Sequence, residues 1–183
     1  MLRFITRWKV EREARERIGT ELHRQIKEAF DLNEAETSAR LQTSFCVGYI
    51  YWFVRLGFST ITGVVGERAT DKHLRHICDG VLPGKLYEIF NRQLAALEVA
   101  RQMGDQERER KLKGTAISPA EAIKLYEIGS EAGAADGSCF MPLGFFYEHK
   151  LHGLNLPATT SKPDNLKRYL TDQQLSYKPL QHA

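Results

Sequence analysis

The sequence predicts an all-α protein: a compact multi-helix bundle around a hydrophobic central helix, with a C-terminal helical hairpin. Apolar residues recur along much of the chain at the three- and four-residue spacing of amphipathic helices. Helix-start patterns precede several of these stretches, and no stretch of useful length alternates between apolar and polar residues as a strand does. The central helix is predicted from residues 43–65 (TSFCVGYIYWFVRLGFSTITGVV), the one long stretch in which apolar and aromatic residues are concentrated.

Arg55, near the middle of this apolar stretch, is its single charged residue. A membrane-spanning helix requires about 20 mainly apolar residues, and a charge at its centre costs at least about 2.5 kcal/mol. The unbroken apolar run is short, and Arg55 interrupts it. Both facts favour a buried core helix, and a helix in or on a membrane is the alternative.

The first helix is expected to run from about Arg3 to about Ala29. Apolar residues four apart form a stripe along it: Val10, Ala14, Ile18, Leu22, Ile26 and Phe30. Asn33 followed by Glu36 matches a capping box. The central helix is therefore predicted to start there and to continue to about Thr60.

A short helix is expected from Asp71 to Cys78, with Thr70 as its N-cap. The next helix is amphipathic and is predicted to end at Gly104. Its inward residues are Leu86, Ile89, Phe90, Leu94, Leu97 and Ala100. Residues 104–117 are polar and rich in charge, and they are the predicted site of an internal hinge.

Three residues agree in predicting a helix start: Ser118 as the N-cap, Pro119 at the first helical position and Glu121 at the third. The helix that they open is expected to reach about Ala132 and to stop at Gly133.

A further helix is expected at about residues 141–151, which completes the hairpin. Residues 1–155 are thus predicted to form a single helical domain. Residues 156–183 are richer in Pro, Thr, Ser and Lys and are predicted to be a loosely structured tail with one short helix at about 164–173.

Composition excludes some classes of partner. The net charge is +3, and acidic residues alternate with basic ones, as in residues 11–17 (EREARER), which is typical of a solvated helix surface. Nucleic acid is therefore not an expected partner. Cys46, Cys78 and Cys139 are odd in number and far apart, which favours a reducing compartment such as the cytoplasm.

The first ten residues, MLRFITRWKV, do not form a secretory signal, because Arg3, Arg7 and Lys9 interrupt the apolar residues. Four apolar residues share one helical face: Met1, Phe4, Ile5 and Trp8. They either pack on the body of the domain or anchor a peripheral protein at an anionic membrane surface.

Residues 119–153 contain Ala122, Tyr126, Ser130 and Gly133 in a first helix and LGFFY, residues 143–147, in a second. This pattern resembles one Sel1-like repeat, a helical-pair unit related to the tetratricopeptide repeat. The resemblance covers about a fifth of the chain. It departs from the family pattern in a longer turn at 134–138 and in the lack of a second copy, although such repeats normally stack. The resemblance implies a protein-binding scaffold.

Four histidines have metal-ligand spacing. His73 and His76 are three residues apart on a predicted helix, and His149 and His152 repeat this spacing on another. Side chains three apart share a helix face, so two such helices in contact would offer four nitrogen ligands to zinc or another transition metal. Neither an HExxH nor a CxxC motif accompanies them.

Arg55, Tyr51 and Trp52 form a second candidate site, for ligand binding. A buried guanidinium must be paired, because an unpaired buried charge is strongly unfavourable. One interpretation is a structural salt bridge to one of three acidic residues, Glu67, Asp71 or Glu88. The other is a pocket in which Arg55 binds a carboxylate or phosphate beside the two aromatic rings.

The leading interpretation is a cytoplasmic, non-enzymatic helical protein that binds another protein, with a homodimer as one form of that partnership. One alternative is a peripheral membrane protein that uses the N-terminal segment and residues 43–65; the other is a metal- or small-ligand-binding protein. Phosphate-binding glycine loops and the GxSxG motif are absent from the sequence. Active sites assembled from distant residues leave no such pattern, so the sequence leaves catalysis open.

Overall fold

The computed structural model describes residues 2–64, 67–82, 86–104, 117–145 and 159–172, with the side chains of residues 2–6, 67–72, 86 and 89 left out. Most of the backbone within these ranges is helical, and the bounds of seven helices are described there, which confirms the all-α prediction. They are α1 (Leu2–Phe30), α2 (Glu34–Arg40), α3 (Ser44–Thr62), α4 (Glu67–Val81), α5 (Leu86–Arg101), α6 (Pro119–Ser138) and α7 (Asn165–Thr171).

Helix α3 lies at the centre of the bundle, as the sequence predicts, and contacts α1, α4, α5 and α6. Most of its residues are buried. It runs antiparallel to α1, because Gly57 lies against Ile18 near one end and Tyr49 bonds to Gln25 nearer the other. It runs parallel to α6. None of the described helices combines the length and the apolarity that crossing a bilayer requires.

The prediction of one helix from Asn33 to Thr60 is wrong in one respect: the structure has two helices, α2 and α3. The Asn33 cap itself is confirmed, since its side chain accepts a hydrogen bond from the amide of Glu36 at 3.1 Å. A second cap, Thr43, interrupts the helix. Its hydroxyl donates to the Arg40 carbonyl at 2.8 Å and accepts from the amide of Cys46, which ends one helix and starts the next.

Helix α4 is longer than the sequence predicts. It starts at Glu67 and ends at Val81, so Thr70 lies inside the helix and is not its N-cap. Helix α5 ends at Arg101, shortly before Gly104, in agreement with the prediction. The predicted hinge at 104–117 falls almost wholly on residues 105–116, which are outside the described ranges.

The start of α6 is confirmed, because the Ser118 hydroxyl accepts from the amide of Glu121 at 3.2 Å with Pro119 at the first helical position. Its predicted end at Gly133 is wrong, since the helix continues to Ser138. Gly133 is where the backbones of α6 and α3 meet. A Cβ atom added there would lie 2.2 Å from the Tyr49 carbonyl oxygen.

Helix α7 confirms the short helix expected near 164–173. Three of its side chains, Leu166, Tyr169 and Leu170, are buried, and the helix packs against α1, α2 and α6. This part of the segment predicted as a loosely structured tail therefore belongs to the core. Of the residues predicted for the second helix of the hairpin, at about 141–151, residues 143–145 are helical, and residues 146–151 lie outside the described ranges.

Candidate functional site

Arg55, Tyr51 and Trp52 lie together on α3, because residues three and four apart share a helix face. The Arg55 guanidinium carbon is 4.8 Å from the centre of the Trp52 ring and 5.9 Å from that of Tyr51. Arg55 also donates a hydrogen bond to the Tyr51 hydroxyl at 3.2 Å. The two rings meet edge to face at 5.9 Å. A half-buried cation is thus held by aromatic faces, a contact that stabilises it by about 0.5–2 kcal/mol.

Of the acidic partners expected for Arg55, Glu88 is exposed to solvent. The side chains of Glu67 and Asp71 are outside the described set. The contacts of Arg55 with Tyr51 and Trp52 are local to α3.

A cavity of ≈ 350 Å³ lies beside this cluster, where α3, α5 and α6 meet. We call it the Trp52 pocket. Its lining residues are Trp52, Arg101, Glu127, Ser130, Glu131 and Ala134. The volume is at the lower end of the range that holds small ligands, and it fits a single amino-acid side chain.

The lining of the Trp52 pocket carries two carboxylates, of Glu127 and Glu131, and one guanidinium, of Arg101. Glu127 and Glu131 are exposed, one helical turn apart on α6, and neither has an ion-pair partner among the described residues. Like charges at this spacing repel each other. Arg101 lies 3.9 Å from Glu98, whose carboxylate also accepts a hydrogen bond from the Tyr126 hydroxyl. The net charge of the lining therefore favours a cationic ligand.

The indole nitrogen of Trp52 is shielded from solvent and has no hydrogen-bond acceptor among the described residues. A buried donor without an acceptor costs about 1–3 kcal/mol. Polar groups of this kind are rare in folded proteins. Among the lining residues of the Trp52 pocket, Trp52 is thus the one with a buried polar atom that lacks a hydrogen bond.

Of the four candidate metal ligands, the structure describes His73 and His76. His73 is buried, stacks on Phe58 with ring centres 4.4 Å apart, and has its Nε2 atom 3.5 Å from a Glu11 carboxylate oxygen. His76 is exposed. His149 and His152 are outside the described ranges. Within those ranges, no three His, Cys, Asp or Glu side chains lie close enough to hold a metal ion.

A buried polar cluster around Asp136 joins four helices and was not found from the sequence. The Asp136 carboxylate accepts from the Tyr49 hydroxyl at 2.6 Å and from the backbone and side-chain nitrogens of Asn165 at 3.0 and 2.8 Å. Gln25 donates to the Tyr49 hydroxyl at 3.1 Å. Burial, followed by the neighbouring Asp136 charge, raises the pKa of Tyr49. Both carboxylate oxygens accept hydrogen bonds within the protein, so this cluster is a structural element.

A second surface cavity, of ≈ 490 Å³, lies between α1 and α4. It is separate from the Trp52 pocket and shares no lining residue with it. Sequence reasoning missed both cavities, because each is lined by residues from segments far apart in the chain. The one part that local spacing did reveal is the group of Tyr51, Trp52 and Arg55.

The chain was compared with known proteins by sequence and by structure. No family model, curated protein or solved structure matches it. The geometry of its own cavities is therefore the basis for an inference about function.

Proposed function

We propose that this chain is a non-enzymatic binding protein that recognises another protein by holding one of its basic side chains, lysine or arginine, in the Trp52 pocket. The observation that carries the proposal is the lining: an indole ring beside two carboxylates, Glu127 and Glu131, that have no described ion-pair partner. Aromatic faces and carboxylates are the two kinds of group that attract ammonium and guanidinium ions.

Arg55 bears on this proposal in two ways: it shows a cation in contact with the Trp52 ring, and its charge weakens the binding of a second cation. Its guanidinium already lies over the Trp52 ring, which shows that this ring accepts a cation. The Arg55 charge repels a second cation nearby, so binding depends on Glu127 and Glu131 to offset that repulsion. The two carboxylates are therefore expected to matter more than the aromatic wall.

The size of the pocket fits a side chain better than a large ligand. The large exposed apolar residues that the structure describes lie on different elements and do not replace the pocket as an anchor: Trp8, Leu32, Val99, Ile128 and Phe145. Single exposed apolar residues are common on soluble proteins. Recognition through one anchored side chain thus has more support than a broad apolar interface or a homodimer seam.

Two further observations support the proposal of a cytoplasmic binding protein. All three cysteines are free, as is usual in a reducing compartment. The resemblance of residues 119–153 to one Sel1-like repeat implies protein binding, and the pocket residues Ser130 and Glu131 lie within that segment.

The test uses Trp52 as its own reporter. The chain has two tryptophans, so Trp8→Phe leaves Trp52 as the single source of indole fluorescence. We expect N-acetyl-arginine amide and N-acetyl-lysine amide to change this fluorescence saturably, with a Kd of about 1 mM, as befits one side chain. N-acetyl-glutamine amide is the neutral control probe.

Glu131→Gln and Glu127→Gln in the same background should each weaken binding of the cationic probes about fivefold or more, because each removes a facing charge. The matched control is Glu16→Gln on α1, which lines the other cavity. Equal responses to the cationic and neutral probes, or cation binding unaffected by Glu131→Gln, would contradict the proposal.

A further inference from the structure

The cavity between α1 and α4 is a second site, and we propose that it binds a phosphate monoester. We call it the α1–α4 groove. Its lining residues are Arg12, Arg15, Glu16, Gly19, Thr20, His23, His76, Ile77, Gly80 and Val81. This proposal is independent of the Trp52 pocket.

Two glycines, Gly19 on α1 and Gly80 on α4, line the groove. Helices α1 and α4 run parallel, since Glu11 meets His73 near one end and Gly19 meets Val81 near the other. A Cβ atom added at Gly80 would meet nothing within 4 Å, and one at Gly19 would touch only Val81, at 3.9 Å. Side chains at these two positions would fill the space. The lack of side chains at these two positions contributes to the open volume of ≈ 490 Å³.

Arg15 is the residue that points to an anion. The other arginines of α1 with described side chains each lie within 4.0 Å of a glutamate: Arg7 with Glu11, Arg12 with Glu16, Arg17 with Glu13, and Arg24 with Glu21 and Glu28. Arg15 is half-buried and has no such partner among the described residues. Glu11, the carboxylate one turn before it, is engaged by Arg7 and His73. A partly desolvated guanidinium without a counter-charge is unfavourable, and a bound anion would supply that charge.

The other polar side chains that line the groove can donate hydrogen bonds to the oxygens of a phosphate group. Arg12, Thr20, His23 and His76 bring further hydrogen-bond donors to the same groove. Arginine forks match phosphate geometry with two parallel hydrogen bonds. The one acidic lining residue, Glu16, is exposed and lies 3.6 Å from Arg12, which offsets its charge.

The helix ends fix where the phosphate would lie. Gly80 and Val81 are the last residues of α4, and the C-terminal end of a helix carries partial negative charge. The phosphate is therefore expected nearer to Arg15 on α1, with the organic part of the ligand against Ile77 and Val81. This division into a charged end and an apolar wall is why a monoester fits better than inorganic phosphate.

The experiment titrates the full chain with glycerol phosphate, phenyl phosphate, inorganic phosphate and neutral glycerol, and follows the imidazole NMR signals of His23 and His76. We expect the two monoesters to shift both signals saturably, phenyl phosphate to bind tightest, and glycerol to have no effect. Arg15→Gln should weaken binding at least tenfold. Gly80→Leu, which fills the groove within a helix that tolerates leucine, should abolish it.

Arg75→Gln is the control variant, because Arg75 is exposed on the same helix, pairs with Asp79 and lies outside the groove. Binding that falls equally in Arg75→Gln and Arg15→Gln would show a diffuse charge effect and overturn the proposal. So would zinc ions shifting both histidine signals at concentrations where no phosphate monoester does.

A second arm distinguishes a soluble ligand from a lipid headgroup, since both present the same monoester. Flotation with vesicles of phosphatidylcholine containing phosphatidic acid is compared with phosphatidylcholine alone. Retention on the acidic vesicles that Arg15→Gln removes would identify the headgroup as the source of the phosphate. Soluble monoester binding without such retention would identify a small metabolite.

Discussion

The α3–α6 and α1–α4 contacts both pair parallel helices and both contain glycines, but they use the missing side chains in opposite ways. In α6, Gly129, Gly133 and Gly137 recur every four residues and face the backbone of α3, where an added Cβ atom would lie 2.1–2.8 Å from a carbonyl oxygen. In the α1–α4 pair, an added Cβ atom would touch only Val81 at Gly19, at 3.9 Å, and would meet nothing within 4 Å at Gly80. The first arrangement brings the backbones of the two helices together, and the second forms a groove.

The difference shows that a glycine inside a helix does not by itself indicate a close helix contact. The residues of the neighbouring helix decide whether it marks such a contact or a groove. Helices that meet through small residues approach closely enough for their backbones to touch, which gains dispersion energy over a long contact. Helices with small residues at an open edge lose that energy and gain a cavity. A ligand bound in such a cavity makes up for the missing contacts, as proposed for the α1–α4 groove.

The largest expected effect is the difference in stability between adding a methyl group at the α3–α6 contact and adding one at the α1–α4 contact. Gly133→Ala would place a Cβ atom 2.2 Å from the Tyr49 carbonyl oxygen, so the helices must separate. We expect the free energy of unfolding to fall by about 3 kcal/mol. Gly80→Ala meets nothing and should raise it by about 0.5–1 kcal/mol, because alanine favours helix. Urea unfolding followed by circular dichroism measures both, and a similar change in the two variants would remove the distinction between the interfaces.

An intermediate effect is expected from the polar cluster that joins α1, α3, α6 and α7. Asp136→Asn keeps the shape of the side chain but replaces one acceptor oxygen by an NH₂ group, which faces the donors of Tyr49 or Asn165. We expect a loss of about 2–3 kcal/mol in the same urea experiment, since buried donors are left unpaired. Asp79→Asn, at an exposed ion pair on α4, is the control and should change stability by less than about 1 kcal/mol. An Asp136→Asn variant with an unchanged free energy of unfolding would mean that the cluster contributes little to stability.

The smallest effect is a pH dependence at the contact between α1 and α7. Hydrogen bonds from Lys167, at 2.7 Å, and from Arg24, at 2.9 Å, lower the pKa of Glu28 from 4.5 to about 2. A carboxyl whose pKa is lower in the folded state stabilises the fold above pH 4.5, and this contribution is lost as the pH falls towards 2. Glu28→Gln should therefore flatten the decline in melting temperature between these two values. The residue is at the surface, so the change should be modest, and an unchanged acid profile would show that the ion pair does not contribute to folding.

The local patterns that predicted α1, the Asn33 cap and the start of α6 succeeded because each depends on residues within one or two turns. The same locality explains why Tyr51, Trp52 and Arg55 were found together. The α2–α3 break was missed because Thr43 stands at the edge of an apolar run, where its capping role is masked by its neighbours. Gly133 was assigned as a helix end because a glycine that ends a helix and one that contacts another helix look alike in sequence.

The two proposed sites depended on contacts between distant segments. Glu127 and Glu131 reach Trp52 only because α6 packs beside α3, and Arg101 joins them from α5. In the sequence, Arg15 has Glu11 four residues before it, at the spacing of a helical ion pair. The fold instead places His73 against Glu11, on the carboxylate that Arg7 also holds, and Arg15 remains without an ion-pair partner among the described residues.

The sequence by itself determined the helical class, most helix positions and the central place of α3, because apolar periodicity and caps are short-range and strong. The tertiary structure alone decided which glycines bring backbones together and which leave a groove. It also decided which charges are neutralised and where the two cavities lie. The physical reason is that burial, ion pairing and cavity volume are properties of pairs of helices, and a helix is paired only when the whole chain folds.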